Sequence, residues 1–126
     1  PNKAIIALRK AYTSSPTFGT RSVSNLESAK LIPSKYFLHR NFPNPFNPST
    51  TIKYTLPTAT VVQLTIFNVL GQQVRSLVNN QKQGAGFYSL TWNGLNDNGK
   101  QLASGAYFYR LRTSSFSKTR KMSLIQ

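Results

Sequence analysis

The chain has 126 residues, 39% hydrophobic and 12% aromatic, enough for one compact core with an arm and too few for two full domains. Sixteen Lys and Arg stand against two acids, Glu27 and Asp97, a formal charge of +14 that calls for anionic surroundings; nucleic acid, lipopolysaccharide, acidic polysaccharide and an acidic protein face all satisfy it. No cysteine is present, which excludes disulfide scaffolds, thiolate metal sites and cysteine nucleophiles, and no apolar run reaches the ~18 residues of a membrane helix.

The first residue is Pro1 rather than Met, as expected of a processed or incomplete chain whose leader, if it had one, has gone. Residues 1–37 read as an arm or linker whose short apolar patch is Ile5, Ile6 and Leu8. Ordering it costs ~1–2 kcal/mol per residue, so the arm is ordered only if a partner holds it. The domain proper spans residues 38–126. From Tyr36 onward the texture changes to short alternating runs separated by Gly, Pro and Asn, the pattern of an all-β domain. Asn41 to Pro48, with Pro43, Pro45 and Pro48, blocks helix and central strand alike and reads as an extended lead-in.

Ile52, Tyr54 and Leu56 alternate with polar residues in a half-buried strand that Pro57 ends. Val62, Leu64 and Ile66 form the next, continued to Val69 and closed by Leu70-Gly71. A third covers Gln72 to Val78, with Val74, Leu77 and Val78 as its apolar positions. After the Gly84-Ala85-Gly86 turn come Tyr88, Leu90 and Trp92; then Asn96-Asp97-Asn98-Gly99 makes a polar turn in which Gly99 takes positive φ. Past Ser104-Gly105, Tyr107, Tyr109 and Leu111 face one way and Phe108, Arg110 and Arg112 the other; the last strand runs from Phe116 to about Ile125. These six short strands beside an extended lead-in, without a helical period, predict an antiparallel β-sandwich of about seven strands.

Catalysis is not expected. General acid–base chemistry wants paired carboxylates or a poised histidine, and Glu27, Asp97 and His39 are each alone. An EF-hand reading of the Asn96–Gly99 loop fails because its first and last ligand positions are Gly94 and Gly105. Gly84-Ala85-Gly86 lacks the third glycine of a dinucleotide fingerprint at Ser89. No cofactor or metal is therefore expected. Trp92, Tyr107 and Tyr109 alternate as core positions rather than as a stacking platform. Phe108 and Phe116, flanked by Arg110, Arg112 and Lys118, are the expected exposed aromatic and basic face for an anionic partner.

Taken in order, Asn44-Pro45-Phe46-Asn47-Pro48, Thr51-Ile52-x-Tyr54-x-Leu56-Pro57, Leu70-Gly71-Gln72, Gly86, Trp92-Asn93-Gly94, Gly99, Ala103-Ser104-Gly105-Ala106-Tyr107 and Thr119-Arg120-Lys121-Met122 resemble the type IX secretion C-terminal sorting domain, type A. Asn68 and Asn93 depart from it, standing where that family commonly has Asp. The resemblance implies an immunoglobulin-like sandwich that addresses an exported cargo. Its route runs through the periplasm of a Gram-negative bacterium to an outer-membrane translocon and shuttle protein, and on to a surface transpeptidase with coupling to anionic lipopolysaccharide. The product is secreted or held at the cell surface.

Lys118, Thr119, Arg120, Lys121, Met122, Leu124 and Ile125 are the expected receptor contact, offering backbone groups for edge pairing with basic side chains beside them. The alternative is plain completion of the sheet. About 35 residues precede the address, which leaves little separate cargo. That favours a second reading, a retained structural subunit that self-assembles or joins a larger extracellular complex through its basic surface. A third reading, sequence-independent nucleic-acid binding, lacks a recognised motif and predicts steep salt dependence.

Overall fold

The computed structural model describes residues 32–126. Expectations that fall on residues 1–31, the greater part of the arm with Ile5, Ile6, Leu8 and Glu27, lie outside the described residues. A compact unit runs from Pro33 to Gln126.

Seven strands form two antiparallel sheets: β1 (Phe37–Leu38), β2 (Thr50–Leu56), β3 (Thr60–Phe67), β4 (Gln73–Gln83), β5 (Gly86–Trp92), β6 (Gly105–Arg112) and β7 (Ser117–Leu124). One sheet has the order β1-β2-β5 and the other β4-β3-β6-β7, so β7 and β4 are the two edges of the larger sheet. Alternation decides the facing surfaces. Ile52, Tyr54 and Leu56 of β2, Val62, Leu64 and Ile66 of β3, Tyr107, Tyr109 and Leu111 of β6, and Met122 and Leu124 of β7 are buried between the sheets, with Trp92 closing one end. The period of two places these apolar residues on one face of each strand, and burial against the other sheet removes them from water. The expected all-β, immunoglobulin-like sandwich of about seven strands is the observed one.

Local differences have physical reasons. The boundary between arm and domain holds a strand, β1, where Phe37 and Leu38 pair with Thr55 and Tyr54, and Tyr36 packs on the core. Two residues carry too little pattern to read as a strand. Strand β4 continues five residues beyond Val78 through Asn-Asn-Gln-Lys-Gln, a polar stretch with no alternating apolar signal. It is held by backbone pairing from Thr60↔Gln83 to Phe67↔Gln73, broken by bulges. Strand β3 stops at Phe67, so Val69 lies exposed in the turn with Leu70 instead of continuing the strand.

Candidate interaction site

The lead-in is tied to the last strand. Phe46 N–H donates to Ser123 O at 3.0 Å, Ile125 N–H to Phe46 O at 2.9 Å, and Ser123 N–H to Asn44 Oδ1 at 3.0 Å. The Phe46 ring is buried against Trp92, centroids 5.6 Å apart, and Trp92 meets Tyr107 edge-on at 5.8 Å. Indole Nε1 donates to Leu95 O at 2.9 Å, which satisfies the polar atom of a ring that is otherwise buried. Gly94 closes the knot at φ +77°: a Cβ there would sit 3.2 Å from Pro48 O and 3.6 Å from Leu124 Cδ1. Asn44, Phe46, Pro48, Trp92, Gly94 and Tyr107, scattered over some sixty residues of sequence, thus meet at the Leu124 end of β7.

Further along the lead-in, Tyr109 hydroxyl accepts from Asn41 N–H at 2.9 Å and donates to His39 O at 2.7 Å. Burial pushes its phenol above the ordinary value, and the neighbouring Arg120 and Arg40 charges oppose that only in part. Arg120 Nε donates to Leu38 O, and its guanidinium lies 5.9 Å from the Phe37 ring centroid. The His39 ring packs edge-on against Phe37 at 4.7 Å, a local contact.

The basic residues divide between two faces. The β6–β7 register pairs Phe108 with Lys121, Arg110 with Thr119, Leu111 with Lys118 and Arg112 with Ser117. Residues paired across a sheet share a face. Phe108, Arg110, Arg112, Thr119 and Lys121 therefore line the outer surface, while Lys118 and Arg120 belong to the core-facing side with Leu111 and Tyr109. The expected grouping of Arg110, Arg112 and Lys118 is not what the register makes, because Lys118 is one residue out of phase and Lys121 takes its place. Of the expected receptor contact, Met122 and Leu124 are buried core and Ile125 is exposed; Lys118, Thr119 and Lys121 are exposed and Arg120 is half-buried.

Phe108 and Arg110 help to line a shallow outer cavity of ≈ 320 Å³ with Phe67 and Thr119; Arg110 sits 4.8 Å over the Phe67 ring. Phe67 escaped sequence reasoning because only the pairing Phe67↔Phe108 shows that β3 delivers it to this face. Phe116 is not an exposed contact. It stacks on Tyr36 at 5.2 Å and packs against the core, a partner that lies in the segment read as arm. Arg40 and Asn41 escaped as well: they line a cleft of ≈ 300 Å³ beside Lys118 to Lys121, and proximity to β7 is visible only in the fold.

The turns use their polar side chains internally. Asn96 Oδ1 accepts from Asn98 and Lys100 N–H, both at 2.9 Å, and Asp97 Oδ1 accepts from Ser76 N–H at 3.0 Å while lying 4.0 Å from Arg75 Nη1. Asp97 clamps its loop to β4. Asn68 Oδ1 accepts from Leu70 and Gln72 N–H, both at 3.0 Å, and Asn93 Oδ1 from Leu95 N–H at 3.3 Å. A carboxylate oxygen would accept the same bonds, so Asn in place of Asp keeps these turns and removes two negative charges.

The model of the FlgD Ig-like domain family matches residues 47–116. Among solved structures, dimeric latent PorU from Porphyromonas gingivalis is similar at 20% identity and a TM-score of 0.57, over 72% of this chain and 9% of that one. FLGD from P. aeruginosa is 25% identical with a TM-score of 0.46, over 60% of this chain and 57% of that one. PorZ, an essential surface component of the type-IX secretion system of P. gingivalis, is 20% identical with a TM-score of 0.47, over 86% of this chain and 13% of that one. The chain therefore spans a small part of PorU and PorZ and just over half of FLGD. No curated protein matches.

Proposed function

The chain belongs to the FlgD Ig-like domain family, and from that premise we propose that it is a non-catalytic sorting module, recognised by other proteins during type IX export to the cell surface. One observation carries the reading. A subset of the sorting-domain resemblance converges on one place: Phe46, Trp92 and Tyr107 are packed together, Gly94 lies close to Pro48 O, and Asn44 and Phe46 bond to Ser123 and Ile125, while Leu70, Gly71 and Gly99 lie exposed in turns elsewhere.

That arrangement gives the motif a physical purpose. It fixes the end of β7, so that the basic stretch beside it, Lys118 to Lys121, exposed except for the half-buried Arg120, has a set direction and register for a receptor. Residues 38–126 are the address in this reading, and residues 1–37 are a connecting arm. Outer-membrane shuttle and translocon proteins are the partners, a surface transpeptidase acts later in the route, and Arg110, Arg112 and Lys121 supply attraction to anionic lipopolysaccharide.

Fractionation of the producing cell with intact mass measurement tests it. The reading expects the chain, or the cargo it delivered, on the outer surface or in the medium; residence in the cytoplasm would overturn it.

A further inference from the structure

We propose that the open half of the β7 edge, Ser117 to Lys121, takes an extended acidic peptide as an added strand. The inference deepens the protein-recognition reading above by naming the chemistry of the partner.

In an antiparallel ladder, alternate residues turn N–H and C=O towards the neighbour and away from it. Ser123 turns both groups away from β6, since its N–H goes to Asn44 Oδ1 and its C=O accepts from Phe46 N–H; Ile125 N–H likewise goes to Phe46 O. Residues of the same parity, Ser117, Thr119 and Lys121, turn theirs to the same side, and no described residue bonds to them there. This edge already accepts backbone pairing at one point: Phe46 forms an isolated bridge to Leu124 in the parallel sense. That native occupant covers Ser123 to Ile125 and goes no further.

Towards Lys118 the preceding segment makes no backbone pairing with β7: Asn41 N–H goes to the Tyr109 hydroxyl of β6, and Leu38 O accepts from the Arg120 side chain. Here lies the ≈ 300 Å³ cleft lined by Arg40, Asn41, Asn44 and Lys118 to Lys121. Four cations, Arg40, Lys118, Arg120 and Lys121, surround it. The acidic residue among those described, Asp97, is bonded to β4, at the opposite edge of the sheet.

Charge chooses the occupant. Lysines on an edge strand ordinarily discourage pairing, and a second copy of this chain would bring the same cations to the same edge. A segment bearing Asp or Glu converts that repulsion into attraction while its backbone meets the waiting donors and acceptors.

Fluorescence anisotropy of the full chain with a labelled peptide of about eight residues, alternating Glu and Thr, tests the proposal. Two further peptides carry N-methyl groups on one or the other alternate set of amides, with identical charge. Strand addition presents a single set to β7, so one isomer binds at least about tenfold more weakly and the other stays near the parent. Thr119→Pro removes an outward N–H without breaking the β6 ladder and lowers parent binding by about the same factor, with Trp92 emission unchanged. Equal affinity of all three peptides overturns the proposal and assigns the attraction to charge alone, as for any anionic polymer. Absence of binding by a chain that does reach the cell surface overturns it too, and leaves the sorting reading standing.

Discussion

Replacing Gly94 by Ala separates a backbone term from a contact term at the knot that fixes β7. Gly94 and Gly99 have nearly the same conformation, φ +77° and +79°. Adding a Cβ in that region costs an L-residue ~1–2 kcal/mol at either position. At Gly99 the new atom meets nothing within 4 Å; at Gly94 it lies 3.2 Å from Pro48 O, a backbone atom that the proline ring restrains, and 3.6–3.7 Å from the buried Leu124 methyls. Displacing those neighbours adds ~1–2 kcal/mol, the lower part of the overpacking range. Gly99→Ala should therefore lose ~1–2 kcal/mol and Gly94→Ala ~2–4. Urea unfolding followed by the emission of Trp92, the single tryptophan, reads both. The gap corresponds to roughly 4–8 °C or more in Tm for a unit of this size. Equal losses in the two variants would refute the claim that Gly94 is held by the Pro48–Leu124 contact.

Three further outcomes are expected. Tyr109→Phe strands the buried Asn41 N–H and forfeits the part-buried bond to His39 O and should cost roughly 2–4 kcal/mol, ~1–3 for the unsatisfied donor and ~1 for the lost bond, whereas Tyr107→Phe forfeits a single part-buried bond to Ala103 O and should cost about half as much or less; thermal unfolding compares them. Stability should fall at high pH: burial pushes the Tyr54 phenol up to about 12 from 10.0, so both states are protonated below pH 10 and the full stability is present there. Above it the unfolded chain ionises first, and the contribution is lost as pH rises towards 12; Tyr54→Phe should flatten that part of an unfolding-against-pH curve. Replacing Arg110, Arg112 and Lys121 with Ser should weaken adsorption to lipopolysaccharide and reduce its salt dependence, while Lys118→Ser, on the other face, should change it less; surface plasmon resonance at two salt concentrations distinguishes them.

The fold was legible where alternation was strong. Ile52-x-Tyr54-x-Leu56, Val62-x-Leu64-x-Ile66 and Tyr107-x-Tyr109-x-Leu111 each announce a strand and its buried face. Polar edge segments such as Asn79 to Gln83 announce neither, since their pairing rests on backbone groups that every residue shares. The candidate site was half legible. The basic and aromatic residues of β6 and β7 were visible, but their division between faces follows from a register that turn geometry and bulges set. One residue of phase separates Lys118 from Arg110 and brings Lys121 in. Contacts to the lead-in were invisible for a different reason: Arg120 to Leu38 and Tyr109 to Asn41 join residues 68 or more apart, and no local pattern encodes such pairs.

Deleting Thr119 to Gln126 is a poor test of sorting, because it removes Met122 and Leu124 from the core and would unfold the sandwich. Fusing the full chain behind a reporter already exported to the periplasm leaves the fold intact. Protease accessibility of that reporter, in type IX-competent cells and in cells lacking the translocon, is the most direct measurement. Surface exposure in the first and periplasmic retention in the second is the predicted result; retention in both would contradict the sorting role.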